Sequence, residues 1–215
     1  TKTMMTRFLS VLTLVVLAQN AMAEPSSAVA WNPETLTLVK KGDVAKGQVI
    51  AQTCNSCHAL GGEYPYIDGQ IGPYVFKQLK DYKDKHRDNA VMTALATGLS
   101  DQDMADLAAY FQKQTAPTSK NPAKVSDKAI ELVSRGDSRR ILPPCAACHE
   151  SNGLGQKIDV PALAGQNAAY LKQTLLDYKS GARKNDLYGR MRSIAKELST
   201  EEIDALATYY QSLPH

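Results

Sequence analysis

The chain has 215 residues, of which 43% are hydrophobic and 22% charged, with a formal net charge of +3. This composition excludes a disordered chain, a collagen-like repeat and a disulfide-dense mini-protein, and the length suits two small domains or one ordinary one. The mild positive charge comes without a Lys/Arg cluster or an Arg-rich helix, so nucleic acid is not an expected partner.

The chain opens on a leader-like segment. Arg7 precedes an almost wholly apolar run from Phe8 to Ala18, and Ala21-Met22-Ala23 offers a small-x-small site ahead of polar Glu24-Pro25-Ser26-Ser27. The pattern predicts a signal peptide over residues 1–23, cut after Ala23, with Met4 or Met5 as the initiator. Left uncut, the segment would act as a short membrane anchor; the bland alternative is a buried helix of the fold. No apolar run reaches the roughly 18 residues of a spanning helix. Export places the cysteines in an oxidising compartment. Without Lys2 and Arg7 the net charge is near +1. Residues 24–117 then carry nine positive and eleven negative side chains, and residues 118–215 carry fourteen and eleven. That mild polarity suits an oriented docking partner. The lead from Val29 to Val39, with the single tryptophan Trp31, has no role that the sequence assigns.

From there the chain repeats itself. Cys54-Asn55-Ser56-Cys57-His58 recurs as Cys145-Ala146-Ala147-Cys148-His149, 91 residues later. Pro65, Gly69-Gln70, Tyr74, Leu79 and Asp81-Tyr82-Lys83 recur 96 residues later, and Met92, Ala96, Leu99-Ser100, Leu107-Ala108 and Tyr110 recur 99 residues later. The drift implies two short insertions in the second copy, one between His149 and Pro161 and one before Met191. Val75, Leu79 and Tyr82 fall at i, i+4, i+7, matched by Leu171, Leu175 and Tyr178, which predicts a middle helix in each copy. Ser100 with Asp103, and Ser199 with Glu202, read as capping boxes opening a last helix. Met104, Leu107, Ala108 and Phe111 then form one apolar stripe, and Ile203, Leu206, Ala207 and Tyr210 form its twin. Ala116 to Pro122 is a linker by composition. The expected organisation is a signal peptide (1–23), an N-terminal domain (24–117), a linker (118–127) and a C-terminal domain (128–215). Units of this size bury little core, so a cofactor filling each one makes physical sense.

The chemistry lies in the repeated pentapeptide. On a helix, Cys54, Cys57 and His58 project from one face, as do Cys145, Cys148 and His149. Two thiols one turn apart can bond the two vinyl edges of a haem while the imidazole lies under the iron. A zinc site would need the two cysteine pairs much closer in sequence, a thioredoxin-like pair would want a strand–helix setting, and plain disulfides leave both histidines unexplained. The reading is therefore two covalently bound haem c groups.

A low-spin electron-transfer haem needs a second axial ligand. Beyond the leader the methionines are Met92, Met104 and Met191. Met104 belongs to the apolar stripe and is core. Met92 and Met191 are repeat-equivalent, each just upstream of a capped helix, and are the expected ligands; core filling is the ordinary alternative. His86 is the rival in the first copy, but it aligns with Asn185 and sits in a charged stretch read as an exposed loop, while His215 is the terminus. A carbonyl near Pro65 and another near Pro161 are candidates to accept from each ligand histidine's second ring nitrogen, against the reading of plain turn prolines. Tyr74, Tyr82, Tyr170 and Tyr178 either line haem edges or pack the core.

With these motifs in place, residues 42–215 resemble a class I dihaem cytochrome c, most of all the cytochrome c4 family. The resemblance rests on both Cys-x-x-Cys-His motifs, on Pro161-x-Leu163-x-Gly165-Gln166 and its weaker copy at Pro65 and Gly69-Gln70, on the Tyr…Asp-Tyr-Lys helices, and on Met-x-x-x-Ala-x-x-Leu-Ser before each last helix. It implies an all-α protein of two tandem cytochrome c domains about a pseudo-twofold axis. It further implies a periplasmic electron carrier, sometimes membrane-associated, serving redox protein partners such as a membrane oxidase or dehydrogenase, as a monomer or weak dimer. With both axial positions filled, no catalytic residue is expected. Two other readings share the fold: a haem subunit of a sulfide- or thiosulfate-oxidising dehydrogenase complex, and a dihaem enzyme with one open iron.

Overall fold

A computed structural model describes residues 25–58, 64–116, 124–156 and 158–214. The expected signal peptide, most of the linker and His215 lie outside the described residues. Among those described the structure is helical, with two isolated bridge pairs and no strand.

The first copy contains α1 (Pro33–Lys40), α2 (Val44–His58), α3 (Gly72–Lys83), α4 (Ala90–Thr97) and α5 (Asp101–Lys113). Its core gathers Val39, Ala51, Val75, Phe76, Met104, Leu107, Ala108 and Phe111. Met104 is fully buried, as a stripe residue should be. The expected capping box is present: the Asp103 amide donates to Ser100 Oγ at 3.1 Å and the Ser100 amide to the Asp103 carboxylate at 2.8 Å. Helix α2 packs on α5 through Gly47, where a Cβ would fall 2.1 Å from the Asp106 carbonyl oxygen. Any larger residue there would push the motif helix off its support.

The second copy contains α6 (Asp127–Ser134), α7 (Ala146–His149), α8 (Ala168–Ser180), α9 (Arg190–Glu197) and α10 (Thr200–Ser212). Ala129, Leu132, Leu171, Leu198, Ile203, Leu206 and Tyr210 form its core. Its capping box also forms, and Glu202 additionally binds Arg140 through both oxygens at 2.8 and 2.9 Å. The copies differ at the motif. Helix α2 runs unbroken into His58, whereas the second copy leaves α6 at Gly136 (φ +69), makes a tight Asp137–Leu142 turn and re-enters a helix only after Pro143-Pro144. Those prolines lack the amide hydrogens a continuous helix needs.

The copies meet through exchanged contacts that obey a pseudo-twofold axis. Gln70 donates to the Ala162 carbonyl (3.0 Å) and accepts from the Ala162 amide (2.8 Å). Its repeat-equivalent Gln166 does the same with Tyr66, at 2.8 and 2.9 Å. Arg87 donates to the Tyr170 hydroxyl at 3.2 Å and Arg183 to the Tyr74 hydroxyl at 3.1 Å. Each guanidinium also stacks on its own copy's tyrosine, Tyr82 or Tyr178, 4.7 Å from the ring centre. This symmetry pairs Arg183 with Arg87, so the second insertion falls at Asp186-Leu187-Tyr188. The counterpart of His86 is then Ala182, not Asn185.

Candidate haem sites

Both motifs are built alike. Cys54, Cys57 and His58 occupy the last turn of α2; Cys145 precedes α7, whose last residues are Cys148 and His149. No cysteine is in a disulfide: Cys54 and Cys145 are half-buried, Cys57 and Cys148 exposed. The Nδ1 of His58 lies 2.7 Å from the Pro65 carbonyl oxygen, and that of His149 lies 3.0 Å from the Pro161 carbonyl oxygen. A carbonyl only accepts, so each Nδ1 carries the proton and each Nε2 keeps its lone pair for a metal. Burial holds the His149 imidazole below the usual histidine range, partly offset by the Pro161 hydrogen bond. A neutral imidazole is the form that ligates iron. Burial also pushes the Cys54 and Cys145 thiols up.

The surroundings differ. His149 is buried, with the Tyr210 ring 6.5 Å away, whereas His58 is half-buried and its ring neighbour, Tyr64 at 6.2 Å, is 54% exposed.

Met92 lies in the first turn of α4, with its amide donating to the capping Asn89 side chain at 3.0 Å. Met191 lies in the first turn of α9, where Asp186 accepts from the Arg192 amide at 2.9 Å. Both methionines are half-buried, unlike Met104. Helix α4 packs on α3 and α9 on α8, so the methionine helices hold equivalent places. His86 is half-buried rather than exposed, in the turn after α3, with its amide on the Asp81 carbonyl oxygen at 2.8 Å.

Do these residues fit haem? Among the described residues two buried side-chain polar atoms have no hydrogen-bond partner: the Trp31 Nε1 in the first copy and the Tyr210 hydroxyl in the second. Tyr210 neighbours Cys145 and His149, and burial together with Cys145 pushes its phenol up. At the junction, Arg87 and Arg183 form no ion pair among the described residues, and their hydrogen-bond partners are Gln78, Asn185 and tyrosine hydroxyls. Burial pushes the Tyr170 phenol up, yet Arg87 and Arg183 bring it down to about 7. Two guanidiniums without carboxylates make a place for anions. Haem c carries two propionates, so the cysteine–histidine pairs fit its apolar edge and iron, and the arginine–tyrosine cluster fits its anionic edge. Sequence reasoning named the tyrosines but missed the arginines, although both recur at the same spacing as the tyrosines.

Comparison with known proteins agrees. The family model for cytochrome c matches residues 44–115 and 141–214. Cytochrome c4 of Pseudomonas aeruginosa is 37% identical, over 80% of this chain and 89% of its own length. The thiosulfate dehydrogenase electron acceptor of Stutzerimonas stutzeri is 33% identical, over 83% of this chain and 91% of its own. The crystal structure of reduced cytochrome c4 from Pseudomonas stutzeri superposes with a TM-score of 0.75 at 34% identity, covering 80% of this chain and 99% of that one. Motifs, fold and relatives together place the chain in the cytochrome c family, as an electron-transfer protein of the dihaem cytochrome c4 type with two covalently bound haem c groups.

Proposed function

We propose that the chain is a periplasmic carrier that moves electrons between respiratory partners, towards a terminal oxidase, through two His/Met haems. Cys54 and Cys57 would attach one haem, with His58 and Met92 holding its iron; Cys145 and Cys148 would attach the other, with His149 and Met191. Each bound haem iron supplies a one-electron couple, and a thioether ligand keeps its potential high. The supporting observation is the pair of Nδ1–carbonyl hydrogen bonds, which place the proton of each imidazole on Nδ1 and leave the Nε2 lone pair for a metal. Arg87 and Arg183 offset propionate charge at the junction, and Gln70 and Gln166 hold the two domains in register. Among the described residues no helix is long and apolar enough to cross a membrane. Carbon monoxide binding to the reduced holoprotein tests the ligand set. The unaltered protein binds none, and Met92→Ala and Met191→Ala each open one iron. Carbon monoxide uptake by the unaltered protein contradicts the assignment and favours the dihaem-enzyme reading.

A second reading of the partner follows from the relative named for accepting electrons from thiosulfate dehydrogenase. It keeps the ligands and changes the donor. Rapid reduction of the holoprotein by a purified thiosulfate dehydrogenase, with thiosulfate, selects it; reduction no faster than without the enzyme excludes it.

A further inference from the structure

The junction has one part that breaks the twofold symmetry. Lys77 and Asp81 of α3 form an ion pair at 2.6 Å, and their side chains are 1% and 0% exposed. At the equivalent places of α8 stand Gln173 and Asp177, which bond each other at the surface at 2.7 Å. Two things bury the first pair. From the second domain, Asn185 donates to the Asp81 carboxylate at 2.7 Å, and its carbonyl accepts from Lys77 at 2.6 Å. From the chain's own lead, the Ser27 hydroxyl donates to the other Asp81 oxygen at 2.5 Å, oriented by the Val29 amide at 3.1 Å. Trp31 then packs against Phe76, the residue before Lys77, and α1 lies on α3 and α5. The family match begins at residue 44, so this lead precedes the matched region.

The contact chain continues. Asn185 is 1% exposed, and its neighbour Asp186 holds the first turn of α9, accepting from the Arg192 amide at 2.9 Å and from Arg192 Nε at 2.7 Å. Met191 sits in that turn. In the first copy Asn89 caps α4 directly; in the second the N-cap is Gly189, the inserted Asp186 accepts from the first-turn amide of Arg192, and Asn185 reaches across the junction.

We propose that residues 25–31 are a strap that couples the domains: Ser27 completes the Asp81–Lys77–Asn185 lock, and the lock positions the turn that carries Met191. Ser27 and Lys77 are positioning residues in one domain for an axial ligand in the other. The second half of this inference rests on Met191 being that ligand. The test is amide hydrogen exchange on the ferric holoprotein, read beside its absorption spectrum. In Ser27→Ala, exchange over residues 183–192 speeds up about tenfold, the loss of one charge-assisted hydrogen bond. The sulfur-to-iron band of the second haem shifts, and Ser27→Thr restores both. Removing residues 25–31 enlarges the same changes. Faster exchange confined to residues 25–83, with 183–192 and the band unchanged, overturns the strap. Faster exchange over 183–192 with no sulfur-to-iron band in the unaltered protein keeps the lock and rejects the ligand reading.

Discussion

The two domains share the proposed ligand set and differ in how they wrap it. In the first, an unbroken helix delivers His58 half-buried, near an exposed Tyr64, while an added strap closes α3. In the second, a broken helix and a longer loop leave His149 8% exposed, beside buried Tyr210. Burial disfavours the extra positive charge of ferric iron, so the better-covered centre should hold its electron more tightly. The difference teaches that a duplicated carrier can separate its two potentials without changing a ligand. Electrons should then rest on the second haem.

The largest way to break the comparison is to remove a thioether. Met191→Ala should lower the second potential by on the order of 0.1–0.3 V, within the ~0.8 V that axial ligands span, and Met92→Ala should do so for the first. Potentiometric titration checks both, and the order of the two steps should invert in Met191→Ala. Next comes the buried pair. Asp81→Ala leaves Lys77 unpaired in the interior and should cost about 3–5 kcal/mol, whereas Asp177→Ala, at the surface, should cost less than about 1 kcal/mol. Denaturant melts of the holoprotein compare them; equal losses would show that the lock adds nothing.

A third effect follows from Asp159, in the His149–Pro161 segment, which is longer in sequence than its first-copy counterpart. Burial raises its carboxyl to about 6, against Lys77 and Arg190, which pull it down. The folded state therefore holds this proton more tightly than the unfolded chain does. Its contribution to stability is full below about pH 4, falls as pH rises towards 6, and stays lost above. Asp159→Asn should flatten that fall and stabilise the protein at pH 7 by roughly 2 kcal/mol. Thermal melts at pH 4, 6 and 7.5 measure it. The smallest effect belongs to the caps: Ser100→Ala and Ser199→Ala should each cost about 1 kcal/mol. Ser199→Ala should cost slightly more, because Glu202 also anchors Arg140.

Much of this was legible in the sequence because it is local. The pentapeptides, the capping boxes and the apolar stripes each lie within a few residues, and the repeat doubled every signal. The proline carbonyls behind the histidines were also foreseen. What escaped reading depends on contacts made across the chain. Gln70 and Gln166 recur visibly, but their partners lie in the opposite domain. Lys77 looks like any surface lysine of an amphipathic helix, and its buried partner, the Asn185 carbonyl, lies in the other domain. The alignment of His86 with Asn185 failed because the insertion was placed ahead of the arginine rather than after it. The function of Trp31 was opaque because its segment has no second copy.

The most direct measurement is the absorption spectrum of the holoprotein through a full redox titration. The account predicts two one-electron steps, both low-spin, each removing half of the weak red band of sulfur bound to ferric iron. A high-spin component, or a step that leaves that band untouched, would contradict it.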